Sequence, residues 1–111
     1  MDSLRVVVTD HQRQRVVCDR TFDRYPIRIG REPASELHLD YPFISARHAE
    51  VRRDADALRL CDLGARNGLA VGARKLPPGG VLLGPRAVAT IGPLELCFEL
   101  AGPVPVELPG Q

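Results

Sequence analysis

Three short stretches carry side chains suited to holding an anion. Gly30-Arg31 follows an alternating run that ends at Ile29; Ser45, Arg47 and His48 lie in residues 40–48 (DYPFISARH); Arg66-Asn67-Gly68 closes residues 62–68 (DLGARNG). An arginine presents a planar fork of five donors that matches an oxyanion better than the point charge of lysine. A serine hydroxyl can donate to the same anion, and an asparagine amide offers donor and acceptor together, which suits a peptide main chain. A phosphate group needs a fixed arginine, neutral donors and no carboxylate among them. Arg31, Ser45 and Asn67, with Arg47 and Arg66 nearby, make up such a set. Taken singly, each stretch has a plainer reading. Arg31 reads as a solvated arginine and His48 as a hydrogen-bonded scaffold residue at a strand start. Asn67-Gly68 between apolar runs is the signature of a type I′ hairpin turn.

Catalysis fits these residues poorly. Ser45 and His48 are three positions apart with Asp40 nearby, but a nucleophile needs an aimed base and an oxyanion hole. No GxSxG elbow occurs. In an extended segment, positions i and i+3 point to opposite faces. No catalytic residue is therefore assigned. His11, His38 and His48 show no ligand spacing and lie far in sequence from Cys18, Cys61 and Cys97, so no metal and no cofactor are expected. An odd number of cysteines without CxxC reads as small buried hydrophobes in a reduced protein.

The elements that must position these residues are strands. The 111 residues suffice for one domain, and a hydrophobic fraction of 44% is that of a globular chain. Apolar residues alternate at Ile27/Ile29, Leu37/Leu39, Leu58/Leu60 and Leu94/Leu96/Phe98/Leu100. Valine-rich or β-type runs occupy residues 4–9, 15–18, 49–53, 70–71, 81–83 and 87–91. Period two with one buried face is the pattern of antiparallel sheet. Ten glycines and ten prolines leave no uninterrupted segment of helical length. Ten or eleven short strands at this spacing predict a sandwich or barrel. Residues 101–111, with three prolines and two glycines, read as a linker or tail following a domain at 1–100.

Charge and hydropathy narrow the partners. Fifteen Lys+Arg against fourteen Asp+Glu leave a net charge of +1, too balanced for a bulk electrostatic nucleic-acid binder. Lys75 is the only lysine, so the basic residues are almost all arginine. No run approaches the roughly 20 apolar residues of a membrane span. The first residues lack the apolar core of a signal peptide, so a cytoplasmic location is expected.

The ordered strings Ile29-Gly30-Arg31, Ile44-Ser45-Ala46-Arg47-His48-Ala49 and Asp62-Leu63-Gly64-Ala65-Arg66-Asn67-Gly68 resemble the forkhead-associated (FHA) domain family. Ile91-Gly92 and a final alternating strand follow them. The resemblance covers residues 25–100. It implies an all-β, eleven-stranded antiparallel β-sandwich with short loops, little or no helix, and the motif loops at one apex. It also implies a non-catalytic module that recognises phosphothreonine peptides in signalling. The expected partner is a phosphothreonine-containing protein, either a substrate of a Ser/Thr kinase or the kinase itself. Arg31 and Ser45 would hold the phosphate and Asn67 the peptide main chain. Gly30, His48 and Gly68 would shape the loops, and Arg47 would be a flanking contact.

Departures from the family pattern are local. Ala46 stands where a longer donor is common, and Arg66 precedes Asn67 where threonine or serine is common. Arg66 is expected to restore charge from the other side of the pocket. Ala65, Leu69, Gly72-Ala73 and Pro85 also differ from the pattern. The rival reading is a phosphate-independent assembly part of a larger machine, such as a secretion system.

Overall fold

The computed structural model describes residues 3–101, so the tail expected at 101–111 lies, beyond Ala101, outside the described residues. Eleven strands run in chain order: β1 Ser3–Asp10, β2 Arg15–Phe22, β3 Ile27–Gly30, β4 Leu37–His38, β5 Ala49–Asp54, β6 Ala57–Asp62, β7 Ala70–Val71, β8 Arg74–Lys75, β9 Val81–Leu83, β10 Arg86–Ile91 and β11 Leu94–Ala101. They form a six-stranded sheet in the order β2-β1-β11-β10-β7-β8 and a five-stranded sheet in the order β4-β3-β5-β6-β9. The described residues contain no helix, so none is long and apolar enough to cross a membrane.

The alternation read in the sequence places the core. Leu4, Val6 and Val8 of β1 are buried, as are Leu94, Leu96 and Phe98 of β11, and the register sets Val6 opposite Phe98 and Val8 opposite Leu96. Ile27, Ile29, Val51, Leu58 and Leu60 supply the facing layer. Each such side chain contributes about 1.5–3 kcal/mol when fully buried. Cys61 is buried, while Cys18 and Cys97 are half-buried, so only one of the three cysteines meets the expectation in full.

Three details depart from the sequence reading. β8 carries Arg74 and Lys75, both exposed, so no hydrophobic pattern marks it. β2 runs on to Phe22 through the exposed Asp19, Arg20 and Thr21, because it is the edge of its sheet and buries little. The pairing is antiparallel except for β3 with β4, which is parallel, Ile29 facing Leu37 and Gly30 facing His38. Residues 31–36 carry the chain back for that parallel pair.

The end of this connection is held by an ion pair between Glu36 and Arg28. The Glu36 carboxylate accepts from Arg28 Nε at 3.0 Å, from Arg28 Nη2 at 2.7 Å and from the Arg28 N–H at 2.9 Å. These bonds, led by the guanidinium, hold the Glu36 carboxyl at about 2, against an ordinary 4.5. A carboxylate lowered on folding stabilises fully above its unfolded value and loses that contribution as pH falls through the folded one. The advantage of wild type over Glu36→Gln should therefore be full above about pH 4.5 and shrink towards zero as pH falls to about 2. Thermal unfolding of both proteins across that range measures it, and a pH-independent difference rejects it.

Candidate functional site

The loops following β3, β4 and β6 meet at one end of the sandwich. The first lies directly on the second: the Arg31 N–H donates to the Ser45 carbonyl at 3.0 Å and the Glu32 N–H to the Ala46 carbonyl at 3.2 Å. Contact is so close that a Cβ at Gly30 would stand 2.1 Å from the Ala46 carbonyl oxygen. Glycine is needed here for backbone approach.

His48 ties all three loops together. It is fully buried. Its N–H donates to the Ile29 carbonyl at 2.9 Å, and its carbonyl accepts from the Leu63 N–H at 3.0 Å. Its Nδ1 accepts from the Ser45 N–H at 3.1 Å, and its Nε2 lies 2.5 Å from the Gly68 carbonyl. An acceptor at Nδ1 and a donor at Nε2 define the neutral Nε2–H tautomer, assigned here from the bonding pattern. With both ring nitrogens engaged by backbone, neither is left to take a proton from the Ser45 hydroxyl. The third loop leaves β6 in one sheet and enters β7 in the other. Asn67-Gly68 is therefore not a hairpin turn: Gly68 has φ +66°, but Asn67 lacks the positive φ that a type I′ turn requires. Asp62 Oδ1 rounds the start of this loop by accepting from the N–H groups of Gly64 at 2.9 Å and Ala65 at 3.0 Å.

A pocket of about 240 Å³ opens where the loops meet, with Arg31, Ser45, Arg66 and Asn67 as its polar lining and Pro42 and Phe43 among its apolar walls. Ser45 Oγ accepts from the Arg66 N–H at 3.2 Å, and among the described residues no acceptor takes its own proton. Asn67 Nδ2 donates to the Phe43 carbonyl at 2.6 Å, which fixes the amide against the second loop, and among the described residues its oxygen accepts no hydrogen bond. Among the described residues no carboxylate lies within ion-pair distance of Arg31 or Arg66. By contrast, Arg5, Arg28, Arg52 and Arg59 are each paired with an acid. Chemically, the pocket offers two uncompensated guanidiniums and a hydroxyl donor.

The structure thus brings Arg31, Ser45, Arg66 and Asn67 together and puts Gly30, His48 and Gly68 behind them. Arg47 stands apart. Its Nε lies 3.9 Å from Glu32 Oε1, and it lines a different depression with Arg28 and Arg52.

Two residues with a hand in the site were passed over in the sequence. Asp10 is buried, its Oδ1 accepting from the N–H groups of Gln12 at 2.9 Å and Arg13 at 3.1 Å. Its Oδ2 accepts from the Tyr41 hydroxyl at 3.1 Å, which joins the β1–β2 turn to the second loop. Burial pushes this carboxyl up, but the hydrogen bonds and Arg13 together outweigh it and hold it below its ordinary range. Tyr41 in turn packs on Phe43, ring centroids 5.2 Å apart. Burial and then Asp10 push its phenol up, against the pull of Arg13 and Arg15. An aspartate at a strand end before a polar turn was the available signal, and it reads first as a turn residue.

Comparison with known proteins agrees with this geometry. The FHA domain profile matches residues 27–92, more than half the chain. The oxoglutarate dehydrogenase inhibitor of Corynebacterium diphtheriae is 35% identical over 82 residues, covering 74% of this chain and 55% of that protein. The glycogen accumulation regulator GarA of Mycolicibacterium smegmatis is 35% identical over 82 residues, covering 74% of this chain and 50% of its own length. The chain spans about half the length of the curated relatives it matches. Among solved structures, the FHA-1 domain of Mycobacterium tuberculosis Rv1747 superposes with a TM-score of 0.69 at 26% identity, covering 87% of this chain and 96% of that one. The FHA domain of CT664 from Chlamydia trachomatis has the same fold, with a TM-score of 0.74 at 22% identity over 89% of this chain and 97% of that one.

The bonding around His48 yields a stability prediction. His48→Ala orphans the Ser45 N–H and the Gly68 carbonyl, each worth about 1–3 kcal/mol when left buried and unpaired. A loss of about 2–5 kcal/mol in urea unfolding is expected, on the same principle. A loss below about 1 kcal/mol would show that the loops hold without it.

Proposed function

The chain belongs to the forkhead-associated domain family, and from that premise we propose that its loop pocket binds a phosphothreonine side chain of a partner protein. The observation that carries this reading is the pair of guanidiniums, Arg31 and Arg66, left without acidic partners among the described residues around one pocket that also holds the Ser45 hydroxyl. A phosphothreonine brings about −1.5 to −2 charges and three strong acceptor oxygens. Arg31 grips the phosphate and Ser45 donates its proton to it. Arg66 supplies from the third loop the charge that Ala46 does not. The Asn67 oxygen accepts from the peptide main chain, and the threonine methyl rests on the apolar wall around Pro42 and Phe43.

The module is a non-catalytic reader. Its partner is a protein phosphorylated by a Ser/Thr kinase, or the kinase itself, and its output is a phosphorylation-dependent association in signalling. The regulator and inhibitor relatives support a regulatory role of that kind.

Titration with phosphothreonine, phosphoserine and unphosphorylated versions of a peptide library tests the reading. Wild type should bind the phosphothreonine form best, phosphoserine less and the plain peptide least. Arg31→Ala should lose about 2–5 kcal/mol, the cost of breaking a desolvated charged contact. Arg66→Ala should weaken binding by a smaller amount, and an unchanged affinity would remove Arg66 from the site. Equal binding of phosphorylated and plain peptides would reject phosphate recognition in favour of a phosphate-independent assembly role.

A further inference from the structure

We propose that the β1–β2 turn and the start of β2 form a second, carboxylate-reading subsite, Arg15 with Arg13, which takes an acidic side chain of the same phosphopeptide. The inference rests on the phosphothreonine reading above and names a determinant of its specificity.

Beside the phosphate pocket lies a second depression of about 330 Å³, lined by Arg13, Arg15, His38, Asp40, Tyr41 and Pro42 among others. Pro42 is a wall of both. A peptide that leaves the phosphate pocket over Pro42 therefore enters this depression. Arg15 is exposed and, among the described residues, has no carboxylate within ion-pair distance. Arg13 leans on Asp10 through Nε, 3.7 Å from Oδ2, with its side chain 63% exposed. That contact leaves both terminal nitrogens for an outside acceptor, in the fork that suits a carboxylate. Asp10 cannot swing out to follow it, because its oxygens already hold the Gln12 and Arg13 N–H groups and the Tyr41 hydroxyl. The turn that carries Arg13 and leads into Arg15 is thus tied to the loop that walls the phosphate pocket.

Charge favours a carboxylate over a second phosphate. Arg13 is largely balanced by buried Asp10, and exposed Asp40 faces the same depression. Arg13 and Arg15 against Asp10 and Asp40 leave the depression close to neutral, with Arg15, among the described residues, the one of its arginines not held to an acid. A side chain of charge −1 can pair with Arg15 against a single repulsion from Asp40, whereas a second phosphate of about −2 roughly doubles that repulsion.

The experiment is an acid scan. A peptide with one phosphothreonine in an alanine background receives Asp, Asn or a second phosphothreonine at each flanking position in turn. Each is titrated against wild type, Arg15→Ala and the Arg13→Ala/Arg15→Ala double variant. At one or more positions Asp should tighten wild-type binding by about 3- to 5-fold over Asn, the range of a partly exposed ion pair. The gain should vanish in both variants, while affinity for the all-alanine phosphopeptide stays within about 2-fold, because screening confines the effect of a distant exposed charge. A flat scan, or a gain that survives in the double variant, overturns the subsite. A second phosphothreonine that gains more than Asp overturns the carboxylate assignment. Phosphate-dependent binding with a flat scan removes this inference alone, and binding that ignores phosphate removes the reading beneath it as well.

Discussion

The site depends on a buried neutral imidazole. His48 bonds through its ring to the second and third loops and through its backbone to Ile29 of β3 and to Leu63. None of these bonds reaches a ligand, yet together with the direct bonds between the loops they bring Arg31, Ser45 and Asn67 to one place. A buried polar network is costly when incomplete and rigid when complete. Here both ring nitrogens and both main-chain groups are satisfied. Lysine or arginine would bring a charge into that space, and an apolar residue would leave two backbone groups unpaired. The identity of this residue is thus set by the loops it joins and by its complete burial.

The distribution of arginines leaves unpaired positive charge at one pocket of a nearly neutral chain. Four arginines of the sheet faces are paired, Arg5 with Asp19, Arg28 with Glu36, Arg52 with Glu50 and Arg59 with Asp54. At the loop apex Arg31 and Arg66 are left unpaired among the described residues. A net charge of +1 for the whole chain therefore says little about the potential at the pocket. Two of the unpaired arginines line one pocket, where loops supply the side chains and hydrogen bonds already fix the Ser45 hydroxyl and the Asn67 amide.

Much of this was legible in the sequence, for physical reasons. Period-two burial along Leu94, Leu96 and Phe98 and along Ile27 and Ile29 reveals a strand because a pleated sheet allows only that alternation. The short β8 was not legible, since Arg74 and Lys75 bury nothing. The parallel β3–β4 pair was not legible either, because a two-residue strand carries no sign of its direction. At the site, Arg31, Ser45, Arg66 and Asn67 stood out by type and order. Asp10 and Tyr41 did not, because they act across 31 positions of sequence through a single hydrogen bond. The hairpin reading of Asn67-Gly68 failed because local turn chemistry cannot tell whether the next strand joins the same sheet.

That change of sheet has a consequence for how the pocket comes into being during folding. The chain between Asp62 and Ala70 is anchored at one end in the five-stranded sheet and at the other in the six-stranded sheet. Gly68, which closes the His48 ring contact, sits on that bridge. A folding intermediate with either sheet formed alone lacks the third wall of the pocket. Ligand then adds nothing to partly assembled states and stabilises only the docked sandwich, drawing the folding equilibrium towards completion by mass action.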